Sequence, residues 1–258
     1  MKDERAPYAA LARVYEAAGW GGFSHDMADT VLALARPRGL PPGGHVLDLA
    51  CGVGIACVKF AQAGYRVTGL DRSAGMLAQA RQKAREAGAQ VNWLERDMRD
   101  WQIDPPADLL TSMYDALNYM LTADDLGAVF GCVGQALKPG GLFIFDMNTI
   151  RGLAENWGTR VHINFEGEGL FIVNRTRWDH ETNTNTLVLH GFARRDDGLW
   201  ERWSETHVQR GFPIIEIRRL LSDAGLETLT VLDAHVVGNV EAGPQTTRVL
   251  IVARRDGG

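Results

Sequence analysis

Between residues 45 and 148, short apolar runs alternate with longer amphipathic runs. The short runs predict buried strands, and the longer ones predict helices. The predicted strands cover residues 45–50, 65–71, 90–96, 107–113 and 142–146. Alternation of strand and helix predicts βαβ units, and therefore a mostly parallel sheet with helices on both faces. Ahead of this region, apolar residues at helical spacing predict two more helices, over about residues 8–19 and 27–34.

From residue 160 to residue 212 the helical period gives way to an alternation with a period of two. Val161, Ile163 and Phe165 are separated by polar residues, as in a strand with one exposed face. Four segments of this kind are separated by turn signals, which predicts an inserted antiparallel β-sheet. After it, a helix from Pro213 and two final strands resume the first pattern.

The 258 residues are enough for one large domain that carries an insertion. We expect an α/β core made of residues 1–150 and 213–258, with the β insertion at 151–212. The formal net charge is −5, whereas proteins that neutralise nucleic-acid phosphates are usually basic. The N-terminus is charged, and no uncharged apolar stretch is long enough to span a bilayer. We therefore expect a cytoplasmic protein with neither a nucleic-acid nor a membrane partner.

A glycine turn follows the first predicted strand of the core, within residues 46–54. Because Gly52 and Gly54 have no side chains, backbone amides at the start of the next helix can approach a ligand closely. The pattern is an incomplete dinucleotide fingerprint, since Cys57 stands where a third glycine would be. The turn therefore predicts a nucleotide-like ligand without deciding which one.

Three acidic residues near strand ends narrow the choice of ligand. Asp48 lies just before the glycine turn, where a carboxylate can hold an ammonium group such as that of S-adenosylmethionine (SAM). Asp71 ends the second strand, where an acidic residue accepts hydrogen bonds from both ribose hydroxyls. Asp97 ends the third strand and can accept a hydrogen bond from the exocyclic amine of adenine, with Met98 beside the ring.

Four segments together resemble the successive motifs of class I SAM-dependent methyltransferases. They cover residues 46–54, 69–77, 96–98 and 137–146. The resemblance implies a Rossmann-like sheet of seven strands in which the last strand is antiparallel. Segments 114–119 and 146–149, followed by a β insertion, are similar to small-molecule enzymes that include the amino-sugar N-methyltransferases.

The resemblance also implies roles for particular residues. The methionine part, the ribose and the adenine of SAM would contact Ala50, Gly52, Gly54, Asp71, Arg72, Met76, Asp97 and Met98. Met113 and Tyr114 would border the sulfonium, and Tyr15 resembles the lid tyrosine of the subgroup. Met76 and Met98 are equally compatible with ordinary core positions.

Oxygen ligands that follow the fourth and fifth strands suggest a second kind of site. Asp115, Asp146 and Asn148 occupy positions at which catechol-type O-methyltransferases bind magnesium. The same residues could instead organise the turn that leaves the strand. Because the subgroup that the sequence resembles works without a metal ion, we expect none here.

His207 is the candidate general base, since it shares a strand face with Trp203 and Glu205 and imidazole titrates near neutral pH. That face could look onto the active site, or it could be a solvated sheet face. Tyr114 is a further candidate for the catalytic role.

The predicted reaction is in-line transfer of a methyl group from SAM to nitrogen or oxygen of a small-molecule acceptor, which yields S-adenosylhomocysteine. The insertion would cover the acceptor side. One alternative is a nicotinamide (NAD)-dependent oxidoreductase, which Asp71 would permit but Asp48 and the incomplete fingerprint oppose. Another is a SAM-binding protein that does not methylate.

Overall fold

The computed structural model describes residues 4–5, 8, 11–15, 18–20, 22–236 and 238–257. In chain order, the strands are β1 Glu4–Arg5, β2 His45–Leu49, β3 Arg66–Asp71, β4 Val91–Glu95, β5 Ala107–Ser112, β6 Leu137–Asn148, β7 Arg160–Gly167, β8 Leu170–Asp179, β9 Thr184–Arg194, β10 Trp200–Arg210, β11 Leu226–Asp233 and β12 Arg248–Arg255. The helices are α1 Gly22–Ala35, α2 Ile55–Gln62, α3 Ala74–Glu86, α4 Ala123–Ala136, α5 Ile150–Gly152 and α6 Ile214–Asp223. Shorter helical turns cover Leu11–Val14, Arg36–Arg38, Ala116–Tyr119 and Leu153–Trp157. Within these described ranges, no helix is both long enough and apolar enough to cross a membrane.

Seven strands form the larger sheet, in the order β11-β12-β6-β5-β2-β3-β4. Strands β2 to β6 are parallel to one another, whereas β12 runs antiparallel to both of its neighbours, β6 and β11. The predicted Rossmann-like arrangement with a reversed last strand is therefore confirmed. The strand order reverses at β2, which has β3 on one side and β5 on the other. A crevice at the carboxyl ends of the strands is expected at such a switch point.

Helices cover both faces of this sheet. On one face, Phe130 of α4 and Leu221 of α6 pack in the same cluster as Leu47. On the other face, Val31 of α1 and Phe60 of α2 pack in the same cluster as Val46. Successive strand residues point to opposite faces, which is why adjacent positions of β2 join different clusters. Every residue of β2 is buried, as expected for a parallel strand covered on both sides.

Two helices of the core begin at side chains that cap their N-termini. The Ser73 hydroxyl accepts a hydrogen bond from the Met76 N–H at the start of α3. The Thr122 hydroxyl accepts one from the Asp125 N–H at the start of α4, and donates one to the Asp125 carboxylate. Each cap satisfies a backbone N–H that has no partner inside the first helical turn.

The inserted sheet is also present, and its order is β1-β10-β9-β8-β7. Strands β7 to β10 are antiparallel, and the two-residue strand β1 pairs parallel to β10. One face of the sheet packs against the described residues between positions 8 and 20, which we call the N-terminal segment. Leu11 and Ala18 of this segment share an apolar cluster with Ile172, Leu189 and Trp203 of the sheet. Ala12 of the same segment packs against Val53 and Met76 of the core, so the N-terminal segment lies between the inserted sheet and the core.

The helix predicted over residues 8–19 is wrong for the part of that segment that the structure describes. Leu11–Val14 forms a short 3₁₀ turn, and Tyr8 has a left-handed φ of +65°. The N–H groups of Tyr8 and Leu11 each donate a hydrogen bond at 2.9 Å to the carboxylate of Glu205 on β10. A buried carboxylate from another element thus takes up donors that a helix start would leave free. Apolar spacing alone does not reveal such a partner.

Gly191 is a position where packing requires the absence of a side chain. It lies opposite Trp203 in the β9–β10 pair, and the indole ring fills the space that a Cβ would need. We expect Gly191→Ala to lower the free energy of unfolding by roughly 1–3 kcal/mol, the usual cost of overpacking, as measured by urea unfolding. In Gly131→Ala the methyl group meets open space on α4, so the helix should gain about 0.5–1 kcal/mol. Equal stability of both variants would contradict this packing.

Candidate functional site

The turn after β2 is held in a left-handed backbone conformation by an acidic side chain. Ala50 and Gly52 have φ values of +53° and +55°, a region that is uncommon for residues other than glycine. Asp71, at the end of β3, accepts a hydrogen bond from the Gly52 N–H at 2.9 Å and another from the Ser73 N–H at 2.8 Å. Burial raises the pKa of Asp71, and these bonds partly oppose that effect. One carboxylate therefore joins the turns that follow two neighbouring strands.

A cavity of about 990 Å³, including space open to solvent, lies at the carboxyl ends of β2, β3 and β5. We call it the first cavity. With the exception of Gly54, every position predicted to bind the cofactor lines it: Tyr15, Asp48, Ala50, Gly52, Asp71, Arg72, Met76, Asp97, Met98 and Met113. The structure thus brings residues of distant segments to one crevice.

Gly54 lies outside the lining of the first cavity, unlike the sequence-based expectation. A Cβ at this position would lie 2.7 Å from the ring of Trp93 and 2.9 Å from the Cβ of Ala80. The glycine also has a φ of +77°. Its physical role in the structure is therefore close packing of the start of α2 against α3 and β4.

Asp48 presents a nearly buried carboxyl group to the first cavity, with 3% of the residue exposed. Its Oδ1 accepts a hydrogen bond from the Thr111 hydroxyl at 2.6 Å, and the Cys57 thiol lies 3.7 Å from its Oδ2. Burial raises the pKa of Asp48 to about 7, although both hydrogen bonds oppose the shift. A cationic group in the cavity would therefore favour the ionised carboxylate.

Asp97 lines the first cavity two residues beyond the end of β4. Its carboxylate accepts hydrogen bonds from the Arg99 side chain at 2.9 and 2.8 Å, and these bonds lower the pKa of Asp97. Arg99 also donates to Asp125 of α4 at 2.8 Å. The carboxylate is therefore held ionised and in place, and a ligand would share it with Arg99.

A second cavity of about 960 Å³, again including space open to solvent, adjoins the first. Its walls come from the inserted sheet, the turn Leu153–Trp157 and the N-terminal segment. Four side chains line both cavities, and we call them the tyrosine boundary: Tyr8, Tyr15, Tyr114 and Tyr119. Groups bound on either side can meet at this boundary.

Arg248 of β12 binds two buried carboxylates next to the tyrosine boundary. Its guanidinium donates hydrogen bonds to Asp115 at 2.6 Å and to Asp146 at 2.5 Å. Asp146 in turn accepts hydrogen bonds from the N–H groups of Tyr114 and Asp115. These two residues have φ values of +65° and +53°, so the network holds a rare backbone conformation at the end of β5.

The side chains considered for a magnesium site take part in this network or in a hydrogen bond beside it. Asp115 and Asp146 both bind Arg248, and the side-chain amide of Asn148 donates to Gln209 at 3.3 Å. Within the described part of the chain, no three His, Cys, Asp or Glu side chains are grouped so that they could hold a metal ion. The independence of the reaction from metal stays a prediction.

His207 lines the second cavity and is only 2% exposed, so the sheet face that carries it is not solvated there. Its Nδ1 lies 2.8 Å from the hydroxyl of Tyr119. Its Nε2 has no aligned hydrogen bond and lies 3.3 Å from a carboxylate oxygen of Glu205. The side chain of Tyr119 therefore separates His207 from the first cavity.

No local sequence pattern predicts a role for Tyr8, Tyr119, Glu205 or Arg248. Tyr119 lies within a segment that the resemblance highlights, but nothing in the local pattern says which way its hydroxyl points. Arg248 lies in an apolar final strand, where an arginine next to buried strand positions is a signal of a buried ion pair. Each of the four residues has a partner that is distant in sequence.

Comparison with known proteins places this arrangement in a family. A family model described as "Methyltransferase domain" matches residues 46–141. The chain is similar to a Bacillus subtilis (strain 168) protein that is named as the methyltransferase YqeM. The two are 32% identical over 84% of this chain and 86% of the relative's length. The chain belongs to the class I SAM-dependent methyltransferases.

Two further similarities extend over most of this methyltransferase. The dTDP-3-amino-3,4,6-trideoxy-alpha-D-glucopyranose N,N-dimethyltransferase of Streptomyces venezuelae is 26% identical over 77% of the chain and 81% of its own length. The crystal structure of a SAM-dependent methyltransferase from Clostridium acetobutylicum ATCC 824 superposes with a TM-score of 0.84 at 24% identity, covering 97% of this chain and 99% of that one. The methyl donor is SAM, and the NAD-dependent alternative is set aside.

Arg248 offers a test of the buried network. Replacing it by methionine leaves Asp115 and Asp146 buried without their cation, so we expect Arg248→Met to lower the free energy of unfolding by roughly 3–5 kcal/mol. Burial already raises the pKa of Asp146, and removal of Arg248 would raise it further. A carboxyl group whose pKa is higher in the folded protein than in the unfolded chain stabilises the fold at low pH, where it is protonated. That contribution to the free energy of unfolding is lost as pH rises through the folded-state pKa. The deficit should therefore be larger at pH 8 than at pH 5.

Arg219→Met is the matched control for this experiment. Arg219 pairs with Asp223 on the exposed side of α6, and both side chains are 60% exposed. Its loss should change stability by no more than about 0.5 kcal/mol. Urea unfolding at both pH values measures the two variants. A deficit for Arg248→Met that shrinks as pH rises would contradict the proposed network.

Proposed function

We propose that this methyltransferase moves the methyl group of SAM to nitrogen or oxygen of a small molecule held in the second cavity. The observation that carries the proposal is the tyrosine boundary. It joins the first cavity, which gathers the predicted cofactor positions, to the second cavity, which the inserted sheet encloses. Two adjoining sites separated only by side chains suit a direct transfer between two bound molecules.

The first cavity fits SAM in charge and in backbone shape. Asp48 supplies a nearly buried carboxylate for the ammonium group, and Asp71 supplies carboxylate oxygens for the ribose hydroxyls. No atom lies within 4 Å of the place that a Cβ of Gly52 would occupy. This open space leaves room for the methionine part of SAM beside Ala50. Asp97 and Met98 would hold the adenine, and the remaining predicted contacts are Tyr15, Arg72, Met76 and Met113.

The second cavity is the proposed acceptor site, and residues 151–212 form the proposed unit that covers it. Its lining mixes aromatic rings, such as Trp20 and Trp157, with polar side chains of the inserted sheet, such as Asn164 and Asn174. The Oδ1 atom of Asn174 is buried without a hydrogen-bond partner. A ligand that donates a hydrogen bond would satisfy it, since buried polar groups are normally paired.

A relative that matches over most of the chain supports a nitrogen acceptor. The Streptomyces venezuelae enzyme is named for the N,N-dimethylation of a dTDP-linked amino sugar. When bound, SAM supplies an electrophilic methyl group on a sulfonium. The protein then has to hold the acceptor in line with that methyl group and to accept the proton that the acceptor loses. Tyr114 and His207 line the cavity in which this would occur.

Asp71 tests the cofactor assignment. Asp71→Asn keeps the size of the side chain and one oxygen acceptor for the turn, but it removes the charge and the second acceptor. We expect SAM affinity to fall by about 10- to 100-fold, since hydrogen bonds to a charged partner contribute about 1.5–3 kcal/mol each. Isothermal titration calorimetry measures the change. Glu95→Gln, an exposed position at the end of β4 outside the first cavity, should bind SAM as the unaltered protein does. Equal affinity of both variants would remove Asp71 from the cofactor site.

Asn174 tests the acceptor side. With methyl-labelled SAM and a panel that contains the dTDP-amino sugar and matched hydroxyl compounds, we expect label to pass to an amine. Asn174→Leu should leave SAM affinity unchanged and raise the acceptor KM about tenfold or more, because it removes a buried polar contact. Val173→Ala lies on the opposite face of β8 and serves as the control. SAM binding without transfer to any acceptor would instead favour a SAM-binding protein that does not methylate.

A further inference from the structure

Three side chains lead from the tyrosine boundary into the inserted sheet. The hydroxyl of Tyr119 lies 2.8 Å from Nδ1 of His207, and Nε2 of the same ring lies 3.3 Å from Glu205. Tyr119 lines both cavities, whereas His207 is 2% exposed and Glu205 is fully buried. The three side chains therefore begin where SAM and the acceptor are proposed to meet, and they end inside the protein.

Tyr119 is held in place from the core. It ends the short turn Ala116–Tyr119 after β5, and the preceding residue, Asn118, anchors that turn. The Asn118 amide donates to the carbonyl oxygens of Asn148 and Arg210 at 3.0 and 2.8 Å, and its oxygen accepts from the Asn148 N–H at 2.9 Å. A fully satisfied buried amide of this kind fixes the backbone that carries the phenol.

We propose that Tyr119, His207 and Glu205 form a proton relay that takes the proton from the methyl acceptor. Tyr119 is the catalytic residue that touches the acceptor, His207 receives the proton, and Glu205 is a positioning residue for the imidazole. This inference rests on the proposed function, because it needs an acceptor in the second cavity. It assigns the general base to a pair of residues rather than to His207 alone.

The step balances in atoms and charge. The hydrogen on the acceptor nitrogen or oxygen passes as a proton to Tyr119 Oη, while the proton of Tyr119 passes to His207 Nδ1. The acceptor lone pair forms a bond to the methyl carbon, and the electron pair of the carbon–sulfur bond stays on sulfur. The positive charge lost at sulfur is regained on the imidazolium of His207, beside the carboxylate of Glu205.

A phenol at this position needs the histidine behind it. Burial raises the pKa of Tyr119, although its hydrogen bond with Tyr8 opposes the shift. The hydroxyl therefore stays protonated near neutral pH, and it can accept a proton only if it passes its own to a neighbour. Imidazole is the side chain best suited to receive a proton near neutral pH.

Glu205 connects the relay to the N-terminal segment. The carboxylate that lies beside His207 also accepts the N–H groups of Tyr8 and Leu11 at 2.9 Å. The ring of Tyr8 stands edge-on to His207, with centroids 5.1 Å apart. Docking of this segment and orientation of the imidazole therefore share one buried carboxylate.

The relay requires one tautomer of His207, and this can be measured without any acceptor. Nitrogen-15 NMR of the full-length protein with labelled histidine, in the presence of S-adenosylhomocysteine, should show a bare Nδ1 and a protonated Nε2 for His207. The signal is assigned by its loss in His207→Asn. In Tyr119→Phe the Nδ1 signal should move because its hydrogen-bond donor is gone, and in Glu205→Gln part of the Nδ1–H form should appear. A protonated Nδ1 in the unaltered protein would overturn the relay, since Tyr119 could not pass its proton to it.

Turnover supplies the second readout. With the dTDP-amino sugar as probe, Tyr119→Phe should lower kcat by about 10²- to 10⁴-fold, the usual contribution of a general base, with the acceptor KM and SAM affinity within about twofold. Tyr65→Phe is the control, because that hydroxyl bonds Arg36 far from both cavities. An unchanged kcat in Tyr119→Phe would also overturn the relay. Failure of the unaltered protein to methylate the probe would count against the proposed function, whereas the tautomer decides on the relay.

Discussion

The pairing of Arg248 with Asp115 and Asp146 is the interaction on which both cavities depend. It joins β12, β6 and the turn after β5, and Gln209 of the inserted sheet donates to Asp115 as well. Buried charges are costly unless every partner is in place. The network therefore specifies a single arrangement of the turn that carries Tyr114, and with it the boundary between the two cavities.

A second buried carboxylate extends the same principle to the N-terminal segment. Glu205 holds the backbone of Tyr8 and Leu11 against β10, so the segment is fixed by hydrogen bonds rather than by its own helical structure. The cavities are thus closed by elements that are far apart in sequence. The two cavities adjoin because ion pairs and hydrogen bonds hold these elements together.

Local sequence patterns predicted most elements of the fold. The period of two in 160–212 and the alternation in 45–148 reflect which side chains face a core. The helix over 8–19 was wrong because its polar partner, Glu205, lies almost two hundred residues away. Gly54 was assigned to the ligand although its packing against Trp93 and Ala80 accounts for the glycine.

The sequence by itself determined the family, the sheet and many of the positions that line the first cavity, because short-range periodicity and residues at strand ends carry that information. Only the tertiary structure decided that Asp71 clamps the glycine turn, that Arg248 joins two acidic residues, and that Tyr119 meets His207. These contacts depend on how the inserted sheet lies against the core. A side chain's hydrogen-bond partner across such an interface is chosen by packing, and packing leaves no mark on the local pattern.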